Sequence, residues 1–182
     1  MLFRSIHPLS VSGITTAQMA SGLHLVFFLC FISGLPTGET ASLANNLEVP
    51  VPGCPPKWTR FGSRCFIFEN RHVTMGDAEN HCLSLGGNLA SIHNVEEVSF
   101  IRDLIQMGSG SFLQTWIGCH DGIKKGQWMW TDGSRFDYQS WGPGEPNNHW
   151  GGQQCVEILW DGRFWNDLPC YHGRPFVCTK DL

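Results

Sequence analysis

The sequence lacks any run of clustered lysine and arginine. Lys+Arg number 12 against 16 Asp+Glu over 182 residues, a formal net charge of −4. That pattern excludes the basic face with which proteins hold nucleic acid. Close cysteine pairs such as C-x-x-C are also missing, which argues against cysteine as a zinc ligand. His81, His93, His120, His149 and His172 include no pair four apart, so no helical zinc site is expected, and most read as surface residues. His149 is placed to touch a ligand by location alone. No Asn-x-Ser/Thr occurs, so N-glycosylation is not expected. Internal repeats and low-complexity tracts are absent too, and the length suits one ordinary domain behind a leader.

The main apolar run, Leu23 to Leu35, is centred on Phe27, Phe28, Leu29, Phe31 and Ile32. It is as long as a signal-peptide core and shorter than the ~20 residues that span a bilayer, so no membrane span is expected. We read residues 1–38 as a signal peptide, with Met19 an alternative start and Thr37, Gly38, Ala41 and Ser42 flanking the cleavage site. The rival reading is an uncleaved anchor with Met1–Gly22 in the cytosol. Arg4 is the only full positive charge ahead of the run, so neither reading has a strong basic flank. Residues 39–53, with Pro50 and Pro52, read as a linker, and the folded unit spans 54–182.

Eight cysteines are present, and setting aside Cys30 in the leader leaves seven from Cys54 to Cys178. Widely spaced cysteines behind a leader indicate a disulfide framework in an oxidising, extracellular setting. An odd count leaves one thiol free, bonded between chains, or capped by a small thiol. Eight tryptophans suit both a compact core and stacking against ligands.

Local patterns give the elements. Trp58 to Phe68 reads as two short strands turning at Gly62. Thr74 with Asp77 forms a capping box, Met75, Ala78, Cys82 and Leu85 share one helical face, and Gly86-Gly87 ends that helix. A second helix starts at Asn94 with Glu97 in the cap position, carries Val98, Ile101 and Ile105, and closes at Gly108. Trp116–Gly118, Gln127–Thr131, Cys155–Trp160, Phe164–Trp165 and Pro175–Thr179 are strand-like. Between Asp132 and Gln154 lies a long Gly/Pro/Asn/Ser-rich loop, a length that is usually functional. The fold class is α+β: two helices beside a small antiparallel sheet, with one large loop. Trp116, Trp128 and Trp130 are core candidates.

These residues resemble the C-type lectin domain family across nearly all of Cys54–Cys178. The motifs, in order, are Cys82, Gly87-Asn-Leu-Ala-Ser-Ile92, Trp116-Ile117-Gly118, Glu145-Pro146-Asn147, Cys155, Trp165-Asn166-Asp167, Cys170 and Cys178. Each is weak alone, but their order is specific. The layout is similar to small secreted fish lectins and type II antifreeze proteins. The resemblance implies three disulfides, Cys82–Cys178, Cys155–Cys170 and an amino-terminal Cys54–Cys65 bridge. It also implies a cis peptide before Pro146. Cys119 is then the odd thiol, either making an interchain bond in a disulfide-linked homodimer or staying free or capped at a strand end.

The same resemblance implies a calcium (Ca2+) site made by Glu145, Asn147, Gln153, Asn166 and Asp167. Calcium takes about six to eight oxygen ligands, which acid and amide side chains supply. Two sugar hydroxyls would complete the shell, each keeping a lone pair to accept from an amide and a proton to donate to a carboxylate. Glu145 and Asn147 would serve one hydroxyl, Gln153 and Asn166 the other, with Asp167 chiefly a metal ligand. The order Glu-Pro-Asn goes with mannose-type sugars in the family. Gln153 departs from the family's usual acid, leaving two negative charges where three are usual, so weaker calcium binding is expected. Glu157 reads as lying on the outer face of its strand. A second family calcium site looks degraded: Asp121 matches it, but Lys125 and Asn148 stand where acids would be expected.

Trp150 either stacks on a sugar ring, which would extend recognition to galactose, or packs the loop; Gly151-Gly152 gives that loop little to pack with. The functional expectation is calcium-dependent glycan binding, with innate recognition of microbial glycans as the role the resemblance implies. The alternative is the same scaffold with a degraded calcium site, acting in protein or ice binding. An enzyme is not expected, since Glu145, Glu157 and Asp167 are better explained as metal ligands than as a glycosidase pair.

Overall fold

The computed structural model describes residues 53–182; the signal-peptide reading and all of the linker except Gly53 lie outside the described residues. Strands are β1 (Thr59–Phe61), β2 (Arg64–Val73), β3 (Asn88–Leu89), β4 (Thr115–His120), β5 (Met129–Trp130), β6 (Cys155–Trp160), β7 (Phe164–Leu168) and β8 (Arg174–Asp181). Helices are α1 (Met75–Ser84) and α2 (Val95–Ser109), with a single 3-10 turn at His149–Gly151.

Both helix starts follow from their caps. Thr74 Oγ1 accepts from the Asp77 amide at 3.2 Å, and Asn94 Oδ1 accepts from the Glu97 amide at 2.8 Å. The α1 face Met75, Ala78 and Cys82 is buried, as the periodicity predicts. Helix α2 does not stop at Gly108; it continues to Ser109 and caps at Gly110, whose φ of 78° suits glycine. Gly108 serves packing instead, since a Cβ there would come within 2.5 Å of the Phe68 ring.

The sheet differs from the small antiparallel one expected. All eight strands join, in the order β1-β2-β8-β4-β6-β7, with β3 on β8 and β5 on β4. One pairing is parallel: β4 meets β8 at Trp116 and Phe176. Strand β5 is shorter than the Gln127–Thr131 pattern, because the Gln127 amide turns back to the Lys124 carbonyl at 2.9 Å.

The disulfides are Cys54–Cys65, Cys82–Cys178 and Cys155–Cys170, as the resemblance implied. Such bridges typically contribute ~2–4 kcal/mol each. Cys119 corrects the dimer expectation. It is fully buried in β4 opposite Trp130, so its sulfur cannot meet another chain without unfolding the sheet. Burial first, and the nearby Asp121 charge second, push its thiol pKa up, so it stays protonated.

The core explains how an irregular loop is held. Fully buried Trp165 on β7 is ringed by Trp130, Phe136, Tyr138 and Trp141 at centroid distances of 5.7–6.5 Å. Three of those rings belong to the loop. Backbone bonds finish the anchor: the Trp165 amide donates to Ser140 at 2.9 Å, and the Gly142 amide donates to Trp165 at 3.0 Å. The first half of the loop is therefore core, and residues 145–153 hang from it beside Asn166 and Asp167.

Candidate functional site

Asp167 organises the site. Its side chain is fully buried, and its two oxygens accept the Asn147 and Asn148 amides, each at 2.9 Å. Charge-assisted bonds of this kind are roughly twice as strong as neutral ones. They fix the loop where Glu145 turns through a cis peptide into Pro146. Glu145 accepts from the Asn147 side-chain amide at 2.8 Å and from its backbone amide at 3.2 Å. The His149 amide donates to Asn147 Oδ1 at 2.8 Å and also to Gln153 Oε1. Hydrogen bonds thereby link Glu145, Asn147 and Asp167 directly, and bring in Gln153 through the His149 amide.

The electrostatics are strained. Partial burial first, and then the adjoining Asp167 carboxylate, push the Glu145 pKa above its ordinary value. Two acids this close oppose joint ionisation unless a cation lies between them. Among the described residues no group of three His, Cys, Asp or Glu side chains is placed to hold a metal. The donor set is two carboxylates plus amide oxygens, which suits a hard oxygen-seeking cation such as calcium and not a thiolate- or imidazole-bound metal.

Asn166, next to Asp167 on β7, has a side-chain partner that the sequence pattern does not reveal. Glu157, expected on an outer face, is instead 1% exposed. It sits opposite Asn166 in the β6–β7 register, accepts from Asn166 Nδ2 at 2.9 Å, and pairs with Arg174 Nε at 2.5 Å. A carboxylate only accepts, so Asn166 must offer Glu157 its NH2, which turns its carbonyl oxygen away from Glu157. Glu157 therefore fixes the orientation of the Asn166 side chain. The signal for it was an acid inside the apolar run Val156–Trp160, which only a buried partner can satisfy.

Comparison with known proteins places the chain in a family. The Lectin C-type domain family matches residues 71–180. The chain belongs to the C-type lectin domain family. It is 42% identical to the galactose-specific lectin nattectin of Thalassophryne nattereri, over 90% of this chain and all of that one. It is 44% identical to ladderlectin of Oncorhynchus mykiss, over 67% of this chain and 65% of that one. Among solved structures, the herring type II antifreeze protein superposes with a TM-score of 0.66 at 35% identity, over 71% of this chain and 99% of that one.

Two further regions bear on the long loop. Asp121, fully buried, accepts from the Gly126 amide at 2.8 Å and lies 3.3 Å from the Lys125 ammonium. That ammonium also donates to the Gln153 carbonyl at 2.8 Å. Asp121 thus has an internal cation, which ties its loop to the long loop. Trp150 is 93% exposed, so it does not pack the loop and its ring is open to a ligand.

One polar cluster has the residue types of a hydrolase site. His93 lies between Asp137, at 2.8 Å, and the Ser91 hydroxyl, at 3.2 Å. Ser91, however, is fully buried and gives its proton to Asp132 at 2.5 Å, so the chain is a brace and not a nucleophile. As a family of binding proteins, C-type lectins fit that reading.

Proposed function

We propose that this protein is a secreted, calcium-dependent glycan-binding lectin whose site is built by Glu145, Asn147, Gln153, Asn166 and Asp167. The observation that carries the reading is that Asn147 bonds to two carboxylates, Glu145 and Asp167, that have no Lys, Arg or His partner among the described residues, a charge a divalent cation would balance. When bound, calcium would supply open coordination for two neighbouring sugar hydroxyls. The chain's own groups do the rest. Glu145 accepts a hydroxyl proton and Asn147 donates an amide proton to the same sugar oxygen. Asn166, oriented by Glu157, and Gln153 attend the second hydroxyl.

On sugar type, the acceptor-then-donor order of Glu145 and Asn147 supports mannose-type sugars with equatorial hydroxyls. Galactose is the second reading, favoured by the open Trp150 ring and by the name of the nattectin relative. The three disulfides and the fish-lectin relatives support an extracellular protein, with recognition of microbial glycans as its role. The likeness to an antifreeze protein supports the rival use of the scaffold for ice or protein binding.

A glycan array run with calcium and again with EGTA tests this. Calcium-dependent signal on mannose-type glycans is expected. Signal confined to galactose would transfer the proposal to the second reading, and no signal on any glycan would reject both.

A further inference from the structure

We propose that the cleft walled by Trp150, Gln153, Pro169, Tyr171 and His172 binds the second ring of a neutral glycan whose terminal ring occupies the Glu145–Asn147 site. The proposal rests on the carbohydrate reading above and extends it from one sugar ring to two. The cleft measures about 430 Å³ and adjoins the loop directly, because Gln153 belongs both to its lining and to the gathered donor set. The two places therefore share Gln153 as a common wall.

Its walls have the chemistry of a sugar platform. Trp150 at 93% and Tyr171 at 75% exposure are the most exposed aromatic side chains among the described residues, and both line this cleft. Tyr171 is stacked on His172, with centroids 5.0 Å apart and planes 20° from parallel. His149 meets Trp150 edge-on at 5.1 Å. Aromatic faces left in water are unfavourable, and the C–H face of a pyranose covers such a ring while its hydroxyls stay hydrated. Gln153 and His172 add donors and acceptors for those hydroxyls. No Lys, Arg, Asp or Glu lines the cleft, so it suits a neutral ring and not a sialylated or sulfated one.

The platform is also mounted firmly. Tyr171 follows Cys170, bridged to Cys155, and the His172 amide closes a turn onto the Pro169 carbonyl at 3.1 Å. Trp150 stands on a turn closed by the Gly151 amide and the Asn148 carbonyl at 2.8 Å. The backbone under both walls is therefore held before a ligand arrives, which lowers the ordering cost of binding.

The test titrates the purified protein with mannose, galactose and their disaccharides of varied linkage, with calcium and with EGTA, alongside Tyr171→Ala and Tyr171→Phe. Thermal melts check that each variant folds. At least one disaccharide should bind roughly three- to tenfold more tightly than its monosaccharide, the gain expected of one aromatic contact. Tyr171→Ala should bring that ratio close to one, and Tyr171→Phe, which keeps the ring, should preserve it. Calcium-dependent monosaccharide binding with no disaccharide gain, or a gain that survives Tyr171→Ala, overturns the cleft and spares the lectin reading. A dimer that Tyr171→Ala dissociates assigns the cleft to a second copy and also overturns it. Disaccharide binding that persists in EGTA supports the cleft while removing calcium from the account. No sugar binding at all overturns both.

Discussion

Two acidic places in this domain have been solved in opposite ways. Asp121 and Glu157 are buried carboxylates whose countercharges come from the same chain, Lys125 and Arg174. Glu145 and Asp167 adjoin one another, and neither has an ion pair with a Lys, Arg or His among the described residues; only amides reach them. The difference separates structure from function. A carboxylate matched by its own lysine or arginine has its charge answered within the fold, whereas two carboxylates matched only by amides keep a demand for positive charge.

The largest effect should come from Asp167→Asn, which keeps the side chain's shape and removes its charge. The account expects calcium-dependent stabilisation and glycan retention to vanish together, read by melting with and without calcium and by retention on a mannose resin. Retained binding would erase the contrast. Next is Arg174→Ala, which turns Glu157 into an unmatched buried acid. A loss of about 3 kcal/mol is expected, the low end for breaking a buried pair because Arg174 is 24% exposed. Denaturant unfolding measures it, and Glu157→Gln in the same background should recover part of the loss.

Calcium's stabilisation should also depend on pH, in a direction set by Glu145. Its folded-state pKa is raised, so without metal the fold binds this proton more readily than the unfolded chain does. Apo stability then falls as pH rises from the ordinary carboxylate value through the raised one. Calcium competes with that proton, so its stabilising effect should be greatest at neutral pH and fade as pH drops through the raised value. Melting curves across acidic pH, with and without calcium, check the sign. Gln153→Glu should sharpen the contrast by adding a third charge, tightening calcium about tenfold by titration. The smallest effect should be that of Lys125→Ala, about 1 kcal/mol of stability, since the lysine is half-exposed. A several-fold weaker calcium affinity should accompany it as the tie to Gln153 is lost.

What the sequence made legible was local or ordered. The caps at Thr74 and Asn94 depend on residues three apart, and both are present. The disulfide set came with the family resemblance that the ordered motifs carried. What escaped was set by contacts distant in sequence. The burial of Glu157 depends on Arg174, 17 positions away on another strand. Gly108 reads as a stop unless the Phe68 ring it faces is known. The parallel β4–β8 contact joins segments with no local signal, and Cys119 faces inward only because that sheet is continuous. Tyr171 drew no notice because its role depends on standing across a cleft from Trp150.

The most direct test is a calorimetric titration of the metal-stripped protein with calcium, followed by mannose. The account predicts one saturable calcium event that disappears in Asp167→Asn, and sugar heat only once the ion is bound. A folded protein giving no calcium heat, or giving the same sugar heat with the metal chelated, would contradict it.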